Sequence, residues 1–172
     1  MVNIGNQLER HFYQQNYCTV KNKSDLYSIF IERGYNILSE NGLLGYIFPN
    51  SWLGTESFSK LREFLVEKTK IMELVKLPND VFADAVVTPL IMTFEKKYIT
   101  EHSILLKEYK NGDYEKIPNV LPYSRIKKDE NFTFSFAPQI EIKIKTIPLQ
   151  DIAKFSLGIK TSETKGLFCL PR

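Results

Sequence analysis

The chain has 172 residues, of which 43% are hydrophobic and 25% charged, proportions typical of a globular protein of one domain or slightly more. No apolar run reaches the roughly 18 residues that a membrane span needs. The amino terminus lacks the charged-then-apolar pattern of a signal peptide, so we expect a cytoplasmic protein with no membrane partner.

Charge is distributed unevenly along the chain. Residues 1–95 hold 9 Lys and Arg against 11 Asp and Glu, whereas residues 96–172 hold 14 against 9. The basic second part either aids solubility or faces the phosphates of a nucleic acid, and charge alone does not separate these interpretations. Cys18 and Cys169 lie far apart without the spacing of metal ligands, so we expect free thiols.

Residues 1–23 form an irregular amino-terminal segment, in which residues 7–15 can make a short helix. A helix over residues 24–39 follows, with Ser24 or Asp25 as its cap and Asn41-Gly42 as its stop. Asp25 is more readily interpreted as this cap than as a catalytic acid. The apolar residues at helical spacing predict the buried face of this helix: Leu26, Ile29, Phe30, Ile37 and Leu38.

A strand over residues 43–49 comes next, and its nearly continuous apolar pattern predicts cover on both faces. The loop at Pro49-Asn50-Ser51-Trp52 leaves its carboxyl end, where open α/β sheets bind ligands. A second helix runs from Thr55 or Ser57 to about Lys68. Its predicted inward residues are Phe58, Leu61, Phe64 and Leu65.

Two further strands are predicted, over residues 71–77 and 86–95, with a loop at 79–85 between them. Pro89 lies within the later strand and favours an edge position or a bulge, because proline has no N–H for a ladder. After residue 97 the pattern indicates a β-rich extension with short strands at 103–109, 132–136 and 140–147. The predicted boundaries are 1–23, 24–97 for an α/β domain part, 98–147 for the extension and 148–172 for a new segment.

The sequence lacks the motifs of several classes of enzyme. The chain has neither Gly-x-Gly-x-x-Gly nor a Walker A sequence, and Ser51 does not lie in the elbow of a serine hydrolase. His11 and His102 have no acidic or Cys neighbours at zinc spacing, so we expect no metal site. Phe82 stands in a polar loop ahead of a strand. It either stacks on a flat ligand or plugs the end of the sheet, and its spacing leaves both open.

Five segments in order resemble a known family. They are Asp25-Leu-Tyr-Ser-Ile-Phe30, Gly42-Leu-Leu-Gly-Tyr-Ile-Phe-Pro-Asn-Ser-Trp-Leu53, Leu61-Arg-Glu-Phe-Leu65, the strand ending near Val75, and Val81 to Thr88. This run is similar to N6-adenine DNA methyltransferases of type II restriction–modification systems, closest to polypeptides that combine restriction and modification. The resemblance covers residues 24–97, with a weaker echo at 148–165. It implies the carboxyl-terminal half of a Rossmann-like S-adenosylmethionine-dependent methyltransferase sheet, helix-strand-helix-strand-strand, followed by the β-rich extension.

The resemblance also implies roles for particular residues. Phe30 matches the aromatic that borders the S-adenosylmethionine pocket, and Phe82 matches the one that packs against the flipped adenine. Residues 148–172 resemble the start of a target-recognition domain, in which Lys160 and Lys165 either contact DNA phosphates or lie in a solvated loop. Pro49, Asn50 and Trp52 match a loop near the pocket. No catalytic residue is assigned.

The chain departs from the family in lacking the glycine-rich cofactor motif and the catalytic Asn-Pro-Pro-Tyr. We therefore expect these residues alone to bind no S-adenosylmethionine and to have no methyltransferase activity. The implied partners are DNA, the missing amino-terminal half of the catalytic domain, and a second copy through an open sheet edge. The alternatives are a nucleic-acid-binding or interaction module without catalysis, and a different methyltransferase acting on RNA or a small amine.

Overall fold

The computed structural model describes residues 5–21, 25–82, 87–110, 112–137, 147 and 149–154. The chain divides into two compact units, residues 1–138 and 139–172. None of the described helices is both long and apolar enough to cross a membrane.

Two helices come first, a strand, a helix and four successive strands follow, and a short helix comes after them. Helix α1 spans Gln7–Asn16, α2 Leu26–Ile37, α3 Ser59–Lys68 and α4 Tyr123–Ile126. The strands are β1 Leu43–Pro49, β2 Lys70–Lys76, β3 Pro89–Glu95, β4 Ser103–Lys110 and β5 Asp113–Pro122. Short 3₁₀ turns occupy Asn50–Leu53, Glu56–Phe58 and Leu149–Asp151.

The five strands form one sheet in the order β1-β3-β2-β4-β5. Strands β1 and β2 are both antiparallel to β3, so they run parallel to each other; β4 is parallel to β2, and β5 is antiparallel to β4. The predicted α/β class, with its helix-strand-helix-strand-strand order and β-rich extension, is confirmed. The boundaries given to its domains stay a prediction.

The extension differs in detail from its predicted strands. Strand β4 is where the pattern placed it, and β5 was not predicted. Residues 132–136 are not a strand; Phe134 is buried there with its ring 4.9 Å from that of Trp52. The predicted strand at 140–147 lies almost wholly outside the described residues.

The prediction that Pro89 marks an edge or a bulge is wrong. Strand β3 lies between β1 and β2, and Pro89 is its first residue. Proline is tolerated at the first residue of a strand, although it has no N–H to donate to the ladder. The carbonyl of Pro89 accepts a hydrogen bond from the N–H of Leu77 at 3.2 Å. Proline here supplies the acceptor that the pairing needs.

Strand β1 lies at one end of the sheet. Its apolar run predicted cover on both faces, but the described residues cover only one of them. Leu44, Tyr46 and Phe48 pack on the core, whereas the alternate residues Leu43 and Ile47 are 61% and 43% exposed. The described helices that pack on β1 contact one face of the strand, so its apolar alternation leaves the other side chains in solvent.

The predicted buried face of helix α2 is right at Ile29, which is buried, and wrong at Phe30 and Ile37. Tyr27 and Ile31 lie in the core, while Phe30 and Ile37 are 58% and 72% exposed. The helix ends in an extended Leu38, and the left-handed residue of the turn is Asn41, with φ 62°, not Gly42. The predicted inward face of α3 is confirmed, because Phe58, Leu61, Phe64 and Leu65 are all buried.

A fully buried arginine joins α3 to two loops. Nη1 of Arg62 donates to the carbonyl oxygens of Trp52 at 2.6 Å and Thr55 at 2.8 Å, and its Nε donates to that of Asn131 at 2.8 Å. Burial lowers the pKa of the guanidinium, with the nearby charge of Asp129 opposing that shift. Arg62 therefore holds the turn that follows β1 in place.

A buried tyrosine joins the extension to β2. The hydroxyl of Tyr123 accepts from the N–H of Ile71 at 2.6 Å and donates to the carbonyl of Thr69 at 3.0 Å. Pairing of β2 with β4 begins only at Glu73, beside an irregularity in the β2 strand. The hydroxyl thus replaces the ladder partners that this end of β2 lacks.

The segment after α1 is tied to α2 by a buried carboxylate. Glu32 accepts hydrogen bonds from the backbone N–H groups of Cys18 at 3.2 Å and Thr19 at 2.9 Å. The hydroxyl of Thr19 donates in turn to the carbonyl of Ser28. Because burial and the Glu32 charge both disfavour the thiolate, the pKa of Cys18 is raised to about 11.

Candidate functional site

The carboxyl ends of β1 and β2 meet at one end of the sheet. Pro49 pairs with Pro89 and Lys76 pairs with Leu90, so both strands finish beside the start of β3. The 3₁₀ turn after β1 is fastened there, since the N–H of Asn50 donates to the carbonyl of Thr88 at 2.9 Å. In open α/β sheets ligands bind outside this end.

An aromatic cavity of about 270 Å³ opens beside the last residues of β1. We call it the α2–β1 cavity. Its lining residues are Asp25, Leu26, Tyr27, Phe30, Tyr46, Ile47, Phe48 and Pro49. The exposed ring of Phe30 therefore lies at a cavity and not on a flat surface, although the sequence pattern assigned it to the core.

Tyr27 gives this cavity a rigid wall. Its ring stacks on that of Phe58, with centroids 5.1 Å apart and planes 16° apart, and lies 5.3 Å from that of Phe48. Its hydroxyl is within hydrogen-bond distance of Ser51 Oγ, at 3.1 Å. Burial raises the pKa of Tyr27 far above its ordinary value, so the hydroxyl stays neutral.

Asp25 occupies the N-cap position of α2, but its side chain makes no capping hydrogen bond. The residue is 5% exposed, and Oδ2 has no hydrogen-bond partner among the residues that the structure describes. The prediction of a capping Asp25 is therefore right in position and wrong in contact. Sequence reasoning missed its place in the cavity lining, because a capping Asp and a buried Asp without a cap contact have the same local pattern.

Phe82 lies in the connection between β2 and β3, at the same end of the sheet. Its side chain is 46% exposed, so it is not a buried plug of the sheet. A hydrogen bond of 2.5 Å from Thr88 Oγ1 to Asn79 Oδ1 joins the two ends of the loop. Residues 83–86 lie outside the described part, and the stacking of Phe82 on a base stays a prediction.

The other predicted positions contribute less. Lys160 and Lys165 lie outside the described residues. Trp52 is fully buried and Asn50 and Pro49 are partly buried, which makes the loop after β1 a supporting element. Within the described ranges, no group of three or more His, Cys, Asp and Glu side chains is placed to hold a metal ion.

The sheet is similar to part of a solved structure. A chain from a structure of a type I R-M system superposes with a TM-score of 0.51 at 21% identity, covering 63% of this chain and 22% of that one. At 21% identity, this similarity supports the fold alone. It agrees with the predicted class, a partial Rossmann-like α/β sheet.

The family similarity is more particular. Residues 2–82 match the model of the Eco57I restriction-modification methylase family. The predicted resemblance to type II restriction–modification methyltransferases is thereby confirmed for this part of the chain.

Individual relatives agree with this family. The type II restriction enzyme and methyltransferase RM.Eco57I of Escherichia coli is 37% identical over 67 residues, which are 39% of this chain. The type II methyltransferase M.TthHB8I of Thermus thermophilus is 34% identical over 86 residues, or 49% of this chain. RM.MjaORFECS2P of Methanocaldococcus jannaschii is 29% identical over 157 residues, or 82% of it. The matches span only 7%, 19% and 13% of these relatives' own lengths.

Proposed function

We propose that this chain is the carboxyl-terminal part of the catalytic domain of a DNA adenine-N6 methyltransferase from a restriction–modification system. The observation that carries the proposal is the placement of Phe30 and Phe82 at one end of the sheet. Phe30 lines the cavity beside the carboxyl end of β1, and the Phe82 loop leaves the carboxyl end of β2. The registers of both strands with β3 bring these ends together.

The residues present fit part of a cofactor site. The α2–β1 cavity offers the aromatic surface of Phe30 and Tyr46, and Asp25 is among its lining residues. In the parent enzyme this cavity would hold part of S-adenosylmethionine, which supplies the methyl group when bound. Phe82 would stack on an adenine turned out of the DNA duplex, because N6 cannot be reached inside the stack.

We further propose that these 172 residues do not transfer methyl groups by themselves. The Asn-Pro-Pro-Tyr that would hold the target amine occurs nowhere in them. Labelled S-adenosylmethionine and unmethylated genomic DNA test this directly, since methyl transfer by the purified chain would contradict it.

A chimera tests the assignment of the family half. Joining the chain behind the amino-terminal part of the M.TthHB8I catalytic domain should restore methyl transfer. Replacing Phe82 by Ala should then lower kcat/KM about tenfold or more, since stacking on a base contributes roughly 1–3 kcal/mol, while Phe82→Trp keeps activity. Tyr114, an exposed aromatic of β5, supplies the control as Tyr114→Ala. An active chimera indifferent to Phe82 would refute the role of this residue.

The partners follow from the same proposal. The exposed edge of β1 and its open residues Leu43 and Ile47 are a surface that the rest of a catalytic domain would cover, and that a second copy can use when that part is absent. Lys160 and Lys165 are proposed to contact DNA phosphates. The alternative, a nucleic-acid-binding module without catalysis, predicts salt-sensitive DNA binding by the chain and no activity in the chimera.

A further inference from the structure

A segment after α4 returns to the turn that follows β1. We call residues 129–136 the strap. Pro122 pairs with Ser103 at the start of β4, so α4 lies at the end of the sheet opposite the candidate site. The strap reaches the site end, where the N–H of Phe134 donates to the carbonyl of Leu53 at 2.9 Å. It therefore joins the two ends of the sheet.

Aromatic packing and a buried arginine hold the strap on this turn. Phe134 is 3% exposed, and its ring lies 4.9 Å from that of Trp52. The Nε of Arg62 donates to the carbonyl of Asn131 at 2.8 Å, while its Nη1 donates to carbonyls of the turn. A guanidinium presents its donors in a fixed geometry, so Arg62 sets the position of the strap relative to the turn.

The strap is shaped by its own carboxylate. Oδ1 of Asp129 accepts a hydrogen bond from the N–H of Asn131 at 2.8 Å. That bond, with further ones from Thr133, lowers the pKa of the Asp129 carboxyl. Phe132 has a φ of 50°, a left-handed conformation that costs free energy in a residue other than glycine. The contacts of Asp129 and Arg62 offset this cost, so we expect the strap to lose its shape without them.

The same turn contacts both parts of the proposed site. Oγ of Ser51 lies 3.1 Å from the hydroxyl of Tyr27, whose ring is the rigid wall of the α2–β1 cavity. The N–H of Asn50 donates at 2.9 Å to the carbonyl of Thr88, at the end of the connection that carries Phe82. The turn is therefore in contact with the strap, the cavity wall and the Phe82 connection.

We propose that the strap is a positioning segment of the site, with Asp129 as the residue that keeps it docked. The docked strap fixes the turn, and the turn fixes both the cavity wall and the connection that carries Phe82. A strap that leaves the turn loosens both parts of the site together. The inference rests on the proposed function for the meaning of the site, whereas the coupling is a property of the 172-residue chain.

Hydrogen exchange of single amides, followed by NMR, tests the coupling on this chain. Asp129→Ala removes the acceptor inside the strap and leaves the contacts of the turn in place. The amides of Phe134 and Asn50 should then exchange about tenfold or more faster, because a hydrogen bond to a charged group contributes at least this factor. The amide of Lys96, which donates to Gly42 at the far end of β1, should change by less than about threefold.

Two further variants control this experiment. Asp113→Ala removes a similar contact at the start of β5, where Oδ1 of Asp113 accepts from the N–H of Tyr114 at 2.7 Å, and should leave the Phe134 and Asn50 amides unchanged. Thr133→Val keeps the shape of the side chain and removes a hydroxyl that donates to Asp129. It should show the same pattern at smaller size, and it decides the matter if Asp129→Ala does not fold.

Three results would overturn the proposal. Equal acceleration of the Phe134, Asn50 and Lys96 amides would show general destabilisation in place of coupling. Acceleration of the Phe134 amide alone would show a docked strap that does not reach the site. Unchanged rates at Phe134 and Asn50 would show that Asp129 does not hold the strap.

The chimera gives the functional readout. Asp129→Ala should lower its kcat/KM about tenfold at a temperature where it is fully folded, since displacing a site by about 1 Å can cost on the order of a hundredfold in rate. Asp113→Ala should leave kcat/KM unchanged. An active chimera whose kcat/KM ignores Asp129→Ala also overturns the proposal. An inactive chimera with coupled amide exchange refutes the proposed function and leaves the coupling intact, so the two fail separately.

Discussion

Tyr123 should contribute to stability through its hydroxyl alone. Tyr123→Phe keeps the buried ring and removes the group that bonds the N–H of Ile71 and the carbonyl of Thr69, at 2.6 and 3.0 Å. Two backbone groups then lose their partner in a place without solvent access, since Tyr123 is fully buried. Buried unsatisfied groups cost about 1–3 kcal/mol each, so we expect a loss of about 2–3 kcal/mol after partial relaxation.

Urea unfolding measures this loss. With a slope of about 2 kcal/mol/M, the midpoint should fall by about 1 M while the slope itself stays constant. Tyr114→Phe, at an exposed tyrosine of β5, is the matched control and should shift stability by less than about 0.5 kcal/mol. Equal urea midpoints for the two variants would show that the hydroxyl of Tyr123 does not contribute to stability.

The same residue predicts a dependence on alkaline pH. Burial raises the pKa of Tyr123 to about 12, against 10.0 for the free side chain. Because the folded pKa is the higher one, this contribution is complete below pH 10 and is lost as the pH rises through 12. Tyr123→Phe should flatten the decline between these values but not abolish it, since Tyr27 is shifted in the same direction.

Three further predictions concern the supports of the site. Arg62→Met should destabilise the chain by about 3 kcal/mol in urea unfolding, because three carbonyl groups lose a buried donor, whereas Arg33→Met on the exposed face of α2 should have little effect. With the other cysteine replaced by serine, Cys18 should react with iodoacetamide at pH 8 about a hundredfold more slowly than a thiol of pKa 9. Glu32→Gln should speed the reaction of Cys18, because it removes a charge that disfavours the thiolate. A rate equal to that of an ordinary thiol in the folded chain would contradict the raised pKa. Ile47→Lys should reduce concentration-dependent self-association measured by sedimentation, and a wild-type chain that stays monomeric at high concentration refutes the open-edge proposal.

Local pattern was a good guide where one interaction dominated. The inward face of α3 followed directly from apolar residues at helical spacing, and α2, β1, β2 and β4 lie within a few residues of their predicted bounds. Strand β5 was missed because its sequence, which includes Pro118, Asn119 and Lys116, has no alternation of apolar and polar residues. Its pairing with β4 is a tertiary contact that outweighs weak strand propensity.

In the candidate site, too, local pattern predicted some features and tertiary contacts decided others. The five segments between Asp25 and Thr88, taken in their order along the chain, were enough to indicate a resemblance to restriction–modification methyltransferases. They were also enough to single out Phe30 and Phe82. The sequence could not tell that Phe30 leaves the core face of α2, because Phe30 and Tyr27 are both apolar at helical spacing and only the position of β1 decides which of them is buried. It also could not tell a capping Asp25 from one whose oxygen is buried without a hydrogen-bond partner.

What the sequence determined by itself is therefore a resemblance to a family and the order of the elements, since both reside in local pattern and in short motifs. What the tertiary structure decided is which side chains meet. The central place of β3, the open face of β1 and the unpartnered Oδ2 of Asp25 depend on strand order and register. These arise from contacts between residues far apart in the chain, and no local pattern encodes them.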